Sequence, residues 1–202
     1  MQIDTKLLPQ YHDTQVDRGG MNMNVLEAIK NRRSIRKYKD TPINDNDLND
    51  LLEAARWAPS WANSQCCRLV VVKDAAIRNK LADTVRPGNR GVAAIQQAPV
   101  VIVACAELGK SGYYKGEAAT DKGDWYMFDV ALAMDNISLV AHERGLGTLH
   151  VGLFDPKAAA QVIGVPEGAA LIEMMVVGYP DEEAKAPPRK ELSEIVMYEK
   201  YG

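Results

Sequence analysis

The chain has 202 residues, 47% of them hydrophobic and 25% charged, and a formal net charge of −3. This length supports one hydrophobic core and is short for two, and the composition is that of a globular rather than a disordered protein. An acidic chain without a broad basic face argues against nucleic-acid binding, and no apolar run approaches the roughly 20 residues that span a membrane.

Residues 1–22 show little periodicity and end in a Gly-Gly pair, so we interpret them as an extension before a single domain over residues 23–202. The polar N-terminus lacks the apolar region of a signal peptide. Three cysteines, two of them adjacent, are typical of a reduced protein rather than a disulfide scaffold. We therefore expect a cytoplasmic protein.

The stretch from Asn31 to Lys39 is strongly basic, because five of its nine side chains are cationic. It follows a short apolar-periodic helix, so the arginines would lie at the helix end and in the turn beyond, with Ser34 among them. Guanidinium groups bind phosphate oxygens in pairs, and a hydroxyl adds a donor, so this turn could hold a phosphate. The alternative is a solvated helix end, where cations are also favourable.

Asn44 or Asp45 is predicted to cap a second helix, which should stop near Ala58 because Pro59 disfavours helical backbone before it. A polar turn then leads to a short buried strand over residues 69–72. Asp74 is predicted to cap the next helix, which a turn over residues 86–89 ends.

Residues 91–97 form a weak helix, and residues 99–104 are predicted to form a central strand that is covered on both faces. Residues 107–124 are predicted to be a long loop, which in a compact domain is more often functional than idle. The clearest helix covers residues 125–144, and Gly145 should end it. Its predicted apolar stripe contains Met127, Val130, Ala131, Met134, Ile137, Ser138 and Ala141.

Residues 147–152 are strand-like, Asp155 and Pro156 begin a further helix, and residues 171–177 form the last core strand. Residues 181–202 form a charged arm in which only residues 195–198 could make an edge strand. Helices between strands, without two-residue hairpin signals, predict a mixed α/β sandwich, an α+β fold. The arm suggests exchange with another subunit, and a packed tail is equally permitted.

Four separated motifs together resemble the nitroreductase family of flavin mononucleotide (FMN) enzymes. They are RRSIRKY from Arg32, LEAARWAPSWANSQ from Leu52, GLGTLHVGLFD from Gly145 and PPRKEL from Pro187. The resemblance covers nearly all of residues 23–196, in the family's order. It implies a central, mostly antiparallel sheet flanked by helices, and a homodimer whose subunits exchange C-terminal arms, residues 181–202.

The resemblance also implies the residues that hold FMN. Arg32 and Ser34 match positions at the flavin phosphate, and Arg189 matches an arginine that reaches the same phosphate from the arm. Arg33 matches a residue along the ribityl chain, and Arg36 matches the cation near the flavin N1 and O2. A fixed cation suits that edge of the ring because reduction places negative charge there.

Pro59, Ser60, Asn63 and Gln65 match the family's flavin-edge loop, which the partner subunit supplies. Asn89 matches a contact to the pyrimidine ring.

The segment from Gly147 through His150 to Gly152 matches the one that runs along the flavin, with a backbone N–H near Gly152 or Leu153 facing N5. A glycine-rich turn suits close backbone approach, and a simple helix-to-strand connection is the alternative.

Three departures from the family concern the substrate side. Trp61 and Ala62 replace a glycine pair, Cys66 and Cys67 replace proline and tryptophan, and His150 replaces a bulky aromatic residue. The cysteines are interpreted as packing rather than as a redox or metal site, because strand neighbours point to opposite faces and no matching Cys/His set exists. His150 could be a core histidine or a proton donor, whereas His12 and His142 belong to no motif.

The resemblance implies an FMN-dependent oxidoreductase that passes reducing equivalents from NADH or NADPH to a nitroaromatic or quinone by a ping-pong mechanism. No catalytic side chain and no metal are required, because the cofactor carries the chemistry. No nucleic acid or membrane is expected as a partner. The alternatives are a flavin-binding module that senses or stores FMN, and family members that dehalogenate a substrate or fragment the flavin.

Overall fold

The structure, a computed structural model, describes residues 23–201, and the predicted extension over residues 1–22 lies outside the described residues. The helices are α1 (Val25–Asn31), α2 (Asp45–Arg56), α3 (Ala75–Ala82), α4 (Gly91–Gln97), α5 (Tyr126–Glu143), α6 (Pro156–Ile163) and α7 (Leu192–Ile195). The strands are β1 (Cys67–Val72), β2 (Val100–Glu107), β3 (Tyr113–Tyr114), β4 (Glu117–Ala118), β5 (Gly147–Val151) and β6 (Ala169–Gly178).

Four strands form the central sheet in the order β1-β2-β6-β5, and every neighbouring pair is antiparallel. The central place predicted for β2 is confirmed, since its first seven side chains are buried. Ile102 and Met134 belong to the core beneath α2 and α5, whereas Val101 and Ile95 belong to the core beneath α3, α4 and α6. The predicted α+β sandwich is therefore the observed architecture.

Side-chain caps begin the helices where the sequence predicts them. Asn44 and Asp74 each accept a hydrogen bond from the backbone N–H three residues later. Asp155 accepts hydrogen bonds from the backbone N–H groups two and three residues later, with Pro156 in the first turn of α6. Gly145 follows α5 in the left-handed conformation, with φ of 72°. Residues close in sequence determine these helix ends, which explains why the ends could be predicted.

The predicted loop over residues 107–124 contains a small hairpin, β3–β4. Its turn residues, Lys115 and Gly116, have φ of 52° and 84°. Two left-handed residues between antiparallel strands make the tight turn that hairpins favour. The expectation of no two-residue hairpin was wrong, because lysine is an uncommon first residue in this kind of turn.

Residues 195–198, which the sequence allows as an edge strand, form no strand in the described chain. The arm instead forms the short helix α7, and Glu191 and Glu194 make a reciprocal capping box at its start. The arm's apolar side chains are exposed, including Leu192 at 73% and Tyr198 at 85%. Exchange of the arm between subunits stays a prediction.

Helix α5 differs from the prediction at its first turns. Met127 and Ala131, which were placed on the apolar stripe, are exposed. Asp129 and Ala133 are buried in their place, whereas the rest of the stripe is buried as predicted. The buried face of α5 therefore begins with the carboxylate of Asp129.

Candidate functional site

A basic cavity of about 630 Å³ lies between the end of α1 and the C-terminal arm. Ser34 lines it, together with the carboxylates Glu182 and Glu183. Six cations line it as well, namely Arg32, Arg33, Arg36, Arg90, Lys185 and Arg189. The structure thus brings together the two basic stretches that the sequence singled out, within one chain.

The turn that carries the arginines is fixed to the edge of the sheet. The Ile35 N–H donates to the Thr148 carbonyl of β5 at 2.9 Å, and Ser34 makes a parallel bridge with Thr148. The buried Tyr38 hydroxyl donates to the Ile35 carbonyl at 2.7 Å. Strand β5 therefore sets the position of the turn.

The arginines of this turn divide into two groups. Arg33 donates to the carbonyls of Lys30 and Arg32 at 2.7 Å each, so it caps the C-terminal end of α1 as the solvated-helix alternative expects. Arg36 donates through its guanidinium to the Ser34 carbonyl at 3.3 Å. Arg32 differs, because its Nη1 is buried without a hydrogen-bond partner among the described residues. That N–H group is available to an anion.

The other three cations of the basic cavity have no partner within the described part of the chain. Arg90, Lys185 and Arg189 make no ion pair or side-chain hydrogen bond with residues 23–201. Glu182 accepts the Arg36 backbone N–H at 2.5 Å, so one of the two carboxylates is already engaged. The cavity therefore presents uncompensated positive charge.

A smaller cavity of about 180 Å³ adjoins the basic one and shares Arg32, Arg33 and Glu182 with it. His142 of α5 lines this cavity, and its Nε2 is buried without a partner in the described part of the chain. Burial and the positive charges of Arg32 and Arg33 lower the His142 pKa. His142 was not predicted from the sequence, although it lies one helical turn after Ser138 and so continues the buried stripe of α5.

The predicted flavin-edge loop lines a separate cavity of about 260 Å³ between α2, β1 and α5, which we call the loop cavity. Pro59, Ser60 and Gln65 line it, whereas Asn63 is exposed and does not. The loop cavity and the basic cavity have no lining residue in common. One chain therefore does not bring the two predicted groups of FMN-binding residues together.

Asp129 is a second residue that sequence reasoning missed. Its carboxylate accepts hydrogen bonds from the Trp61 N–H and the Ser64 hydroxyl, both at 2.9 Å, and it lines the loop cavity. The available signal was the position of Asp129 on the most apolar helix, three residues before Leu132. Charged residues are rarely buried without a specific role.

The two glycines predicted to run along the flavin lie in different surroundings. A side chain at Gly147 would meet Ile35 Cγ1 at 2.6 Å, so this glycine permits the turn to pack on β5. Gly152 has open space where a side chain would point. Leu153 beside it is 56% exposed. Only the Gly152 end leaves room for a ligand.

His150 is exposed on the edge strand β5, so the core-histidine interpretation was wrong. Strand alternation explains this, because the neighbours Leu149 and Val151 take the buried face. Its Nδ1 lies 2.9 Å from Glu173 Oε2 of β6.

Asn89 has a local role, since its Oδ1 accepts the Gly91 N–H at 2.8 Å at the start of α4. The next residue, Arg90, lines the basic cavity. Contact of Asn89 with a flavin stays a prediction.

The three cysteines are free thiols. Burial raises the pKa of Cys67 to about 12 and that of Cys105 to about 11, so both remain protonated at neutral pH. Among residues 23–201 there is no group of three or more side chains that could hold a metal ion. Over the same residues, no helix is both long enough and apolar enough to cross a membrane.

Known proteins resemble this chain in sequence and in fold. The nitroreductase family model matches residues 29–91 and 87–179. An NADH dehydrogenase of Thermus thermophilus is 30% identical, over 85% of this chain and 94% of its own length. A 5,6-dimethylbenzimidazole synthase of Rhodospirillum rubrum is also 30% identical, over 80% of this chain and 84% of its own length.

The solved structure of an FMN-dependent nitroreductase from Clostridium difficile superposes with a TM-score of 0.73. It is 27% identical, and the match covers 87% of this chain and 99% of that one. With a family model that covers most of the chain, these matches establish that the protein belongs to the nitroreductase family.

Proposed function

We propose that this protein is an FMN-dependent oxidoreductase that passes reducing equivalents from NADH or NADPH to a nitroaromatic or quinone by a ping-pong mechanism. The names of its relatives support this, since one refers to NADH and another to FMN and nitroreduction. The observation that carries the proposal is the basic cavity of an otherwise acidic chain, in which a buried N–H of Arg32 has no partner among the described residues.

The basic cavity fits the phosphate of FMN. A phosphate monoester carries close to two negative charges at neutral pH, and the six cations of the cavity outnumber its two carboxylates. The volume of about 630 Å³ lies within the usual range for small-molecule sites. In this proposal Arg32, Ser34 and Arg189 bind the phosphate oxygens, and Arg33 lies along the ribityl chain.

Arg36 has the electrostatic role. The hydrogen bond from its backbone N–H to Glu182 and the contact of its guanidinium with the Ser34 carbonyl hold the residue at the cavity. FMN, when bound, supplies the two-electron chemistry. A fixed guanidinium beside N1 and O2 stabilises the negative charge that reduction brings to that edge, without any proton transfer from a side chain.

The protein contributes backbone at the reactive edge. The open space at Gly152 and the exposed Leu153 leave room for a planar ring to approach the main chain there. Gly147 is too closely packed by Ile35 to touch a ligand directly. We therefore place the N–H group that faces N5 at the Gly152 end of the segment.

A second subunit completes the site in this proposal. A flavin that contacts both the basic cavity and the loop with Ser60, Asn63 and Gln65 needs two chains, because these regions form separate cavities in one. An apolar groove of about 330 Å³ between α1, α2 and α5 offers a surface for the partner. Trp57 lines this groove and is 63% exposed. The functional unit is therefore a homodimer.

A second reaction is favoured by one finding. The relative named 5,6-dimethylbenzimidazole synthase is as similar as the one named NADH dehydrogenase. FMN and 5,6-dimethylbenzimidazole share a dimethyl-substituted benzene ring, so fragmentation of the flavin is the competing activity. Reductive dehalogenation and FMN storage without turnover have no finding of their own to favour them.

The test is to purify the protein, load it with FMN and follow oxidation of NADH and NADPH with a nitroaromatic or quinone acceptor. We expect a yellow protein that turns over repeatedly and regains its visible flavin band after each cycle. Irreversible loss of that band under air would instead support flavin fragmentation. A colourless protein that fails to take up FMN would rule out both activities.

A further inference from the structure

We propose that Asp129 is a positioning residue that holds residues 60–66 in the conformation in which Ser60 and Gln65 face the flavin. This rests on the proposed function for the identity of the ligand. The role of Asp129 in holding the loop stands on the geometry of the loop itself.

Three donors from the loop converge on the Asp129 carboxylate. The Trp61 N–H donates to Oδ1 at 2.9 Å, and the Ser64 hydroxyl donates to Oδ2 at 2.9 Å. The Cys66 thiol lies 3.5 Å from Oδ2, and burial raises its pKa, so it keeps its proton and acts as a third donor. Asp129 thus binds both ends and the middle of the loop.

The carboxylate is almost fully buried, with 2% of the residue exposed. No salt bridge to Asp129 occurs within residues 23–201, so the loop donors carry its stabilisation, helped by the first turn of α5. A buried charge without a cation is unfavourable unless hydrogen bonds satisfy it. The hydrogen bonds from the loop satisfy the Asp129 carboxylate and, at the same time, fix the loop to α5.

The loop needs an external hold because its backbone is unfavourable. Ala62, Asn63 and Gln65 have φ of 46°, 55° and 47°, and none of the three is glycine. Residues other than glycine rarely adopt this left-handed backbone conformation, and they keep it only where the surrounding structure imposes it. Asp129 supplies that constraint from outside the loop.

The constraint reaches the side chains that face the cavity. The Gln65 N–H donates to the Ser60 hydroxyl at 3.0 Å, so the two ends of the loop are tied to each other. Ser60, Gln65 and Asp129 all line the loop cavity. Movement of the Trp61 end would therefore carry Ser60 and Gln65 with it.

The test compares Asp129→Asn with Ser64→Ala, which removes one donor of three. Asn offers one acceptor oxygen in place of two, so we expect the Trp61 amide proton to exchange with solvent at least about tenfold faster. We also expect the dissociation constant for FMN to rise about tenfold, and about threefold in Ser64→Ala. Kd comes from FMN fluorescence titration, and exchange from NMR of the FMN-free protein.

Asp47→Asn is the matched control, because Asp47 is a buried carboxylate (4% exposed) that accepts a hydrogen bond from the side-chain amide of Asn44, the residue that caps α2. It should lower the melting temperature without changing Trp61 exchange or FMN affinity. Asp129→Asn with wild-type exchange at Trp61 and wild-type FMN affinity would overturn the proposal. A wild-type protein that binds no FMN would overturn the proposed function, and the exchange rates would still decide whether Asp129 holds the loop.

Discussion

At the scale of single residues, Arg189 and Lys190 are adjacent cations of which only Arg189 lines the basic cavity. Arg189→Ala removes one charge-assisted contact to the proposed phosphate, worth about 1.5–3 kcal/mol, so FMN affinity should fall about tenfold to a hundredfold. Lys190→Ala is the matched control and should bind FMN as the wild type does. Fluorescence titration measures both, and equal affinities in the two variants would contradict the role of the arm.

His142 should make the stability of the FMN-free protein depend on pH. Its pKa is lowered from 6.5, first by burial and then by Arg32 and Arg33, so the unfolded chain binds this proton more readily than the folded one. The contribution of His142 to the free energy of unfolding is fully present above pH 6.5. It is lost as the pH falls through that value toward the lower pKa of the folded state. Urea unfolding of wild type and His142→Asn at several pH values measures this. The variant should lose less stability on acidification, and parallel curves would contradict the prediction.

The residues that could be predicted from the sequence and those that could not differ in physical kind. Arg32 was singled out because its stretch concentrates positive charge in an acidic chain, and Arg189 was singled out because the family resemblance implies it. Asp129 and His142 were not predicted because their importance comes from burial against partners distant in sequence.

At the scale of elements, Gly147 begins strand β5 and Gly152 directly follows it, yet substitution should affect the two positions differently. Gly147→Ala places a methyl group 2.6 Å from Ile35 Cγ1, which must displace the turn or the strand and should destabilise the protein by about 1–3 kcal/mol. A methyl group at Gly152 meets no atom of residues 23–201, so Gly152→Ala should leave the unfolding free energy nearly unchanged and weaken FMN binding. Denaturant unfolding and FMN titration of both variants test this, and equal destabilisation would contradict it.

Elements with local start and stop signals were predicted best. Helices α4 and α6 and the caps at Asn44, Asp74 and Gly145 depend on residues within a few positions of each other. The hairpin turn at Lys115 and the helix α7 were missed because each competes with an equally plausible local alternative.

At the scale of the whole molecule, we expect a homodimer that depends on the apolar groove between α1, α2 and α5. Trp57→Glu places a charge in that groove and should shift the protein toward monomers, whereas Ile77→Glu on α3, across the sheet, is the control and should not. Sedimentation at micromolar concentration distinguishes the two states. A wild-type monomer that retains FMN would contradict both the dimer and the two-chain site.

The overall architecture followed from the order of helices and strands, whereas the layout of the site came only from the family resemblance. The resemblance implied that Ser60 and Arg32 contact one cofactor from different subunits, and in the structure they line different cavities of one chain. Distances between loops depend on how the helices pack on the sheet, which a single sequence does not encode in any local pattern.

The bridge between Ser34 and Thr148 also affects how the protein behaves at high concentration. Strand β5 is an outer strand of the sheet, and this bridge and the Ile35 hydrogen bond cover part of its open side. Uncovered outer strands recruit strands from other molecules and start aggregation. The turn that carries Arg32 and Ser34 thus shields the sheet from intermolecular pairing, and solutions of the protein saturated with FMN should stay clear under conditions in which the stripped protein becomes turbid.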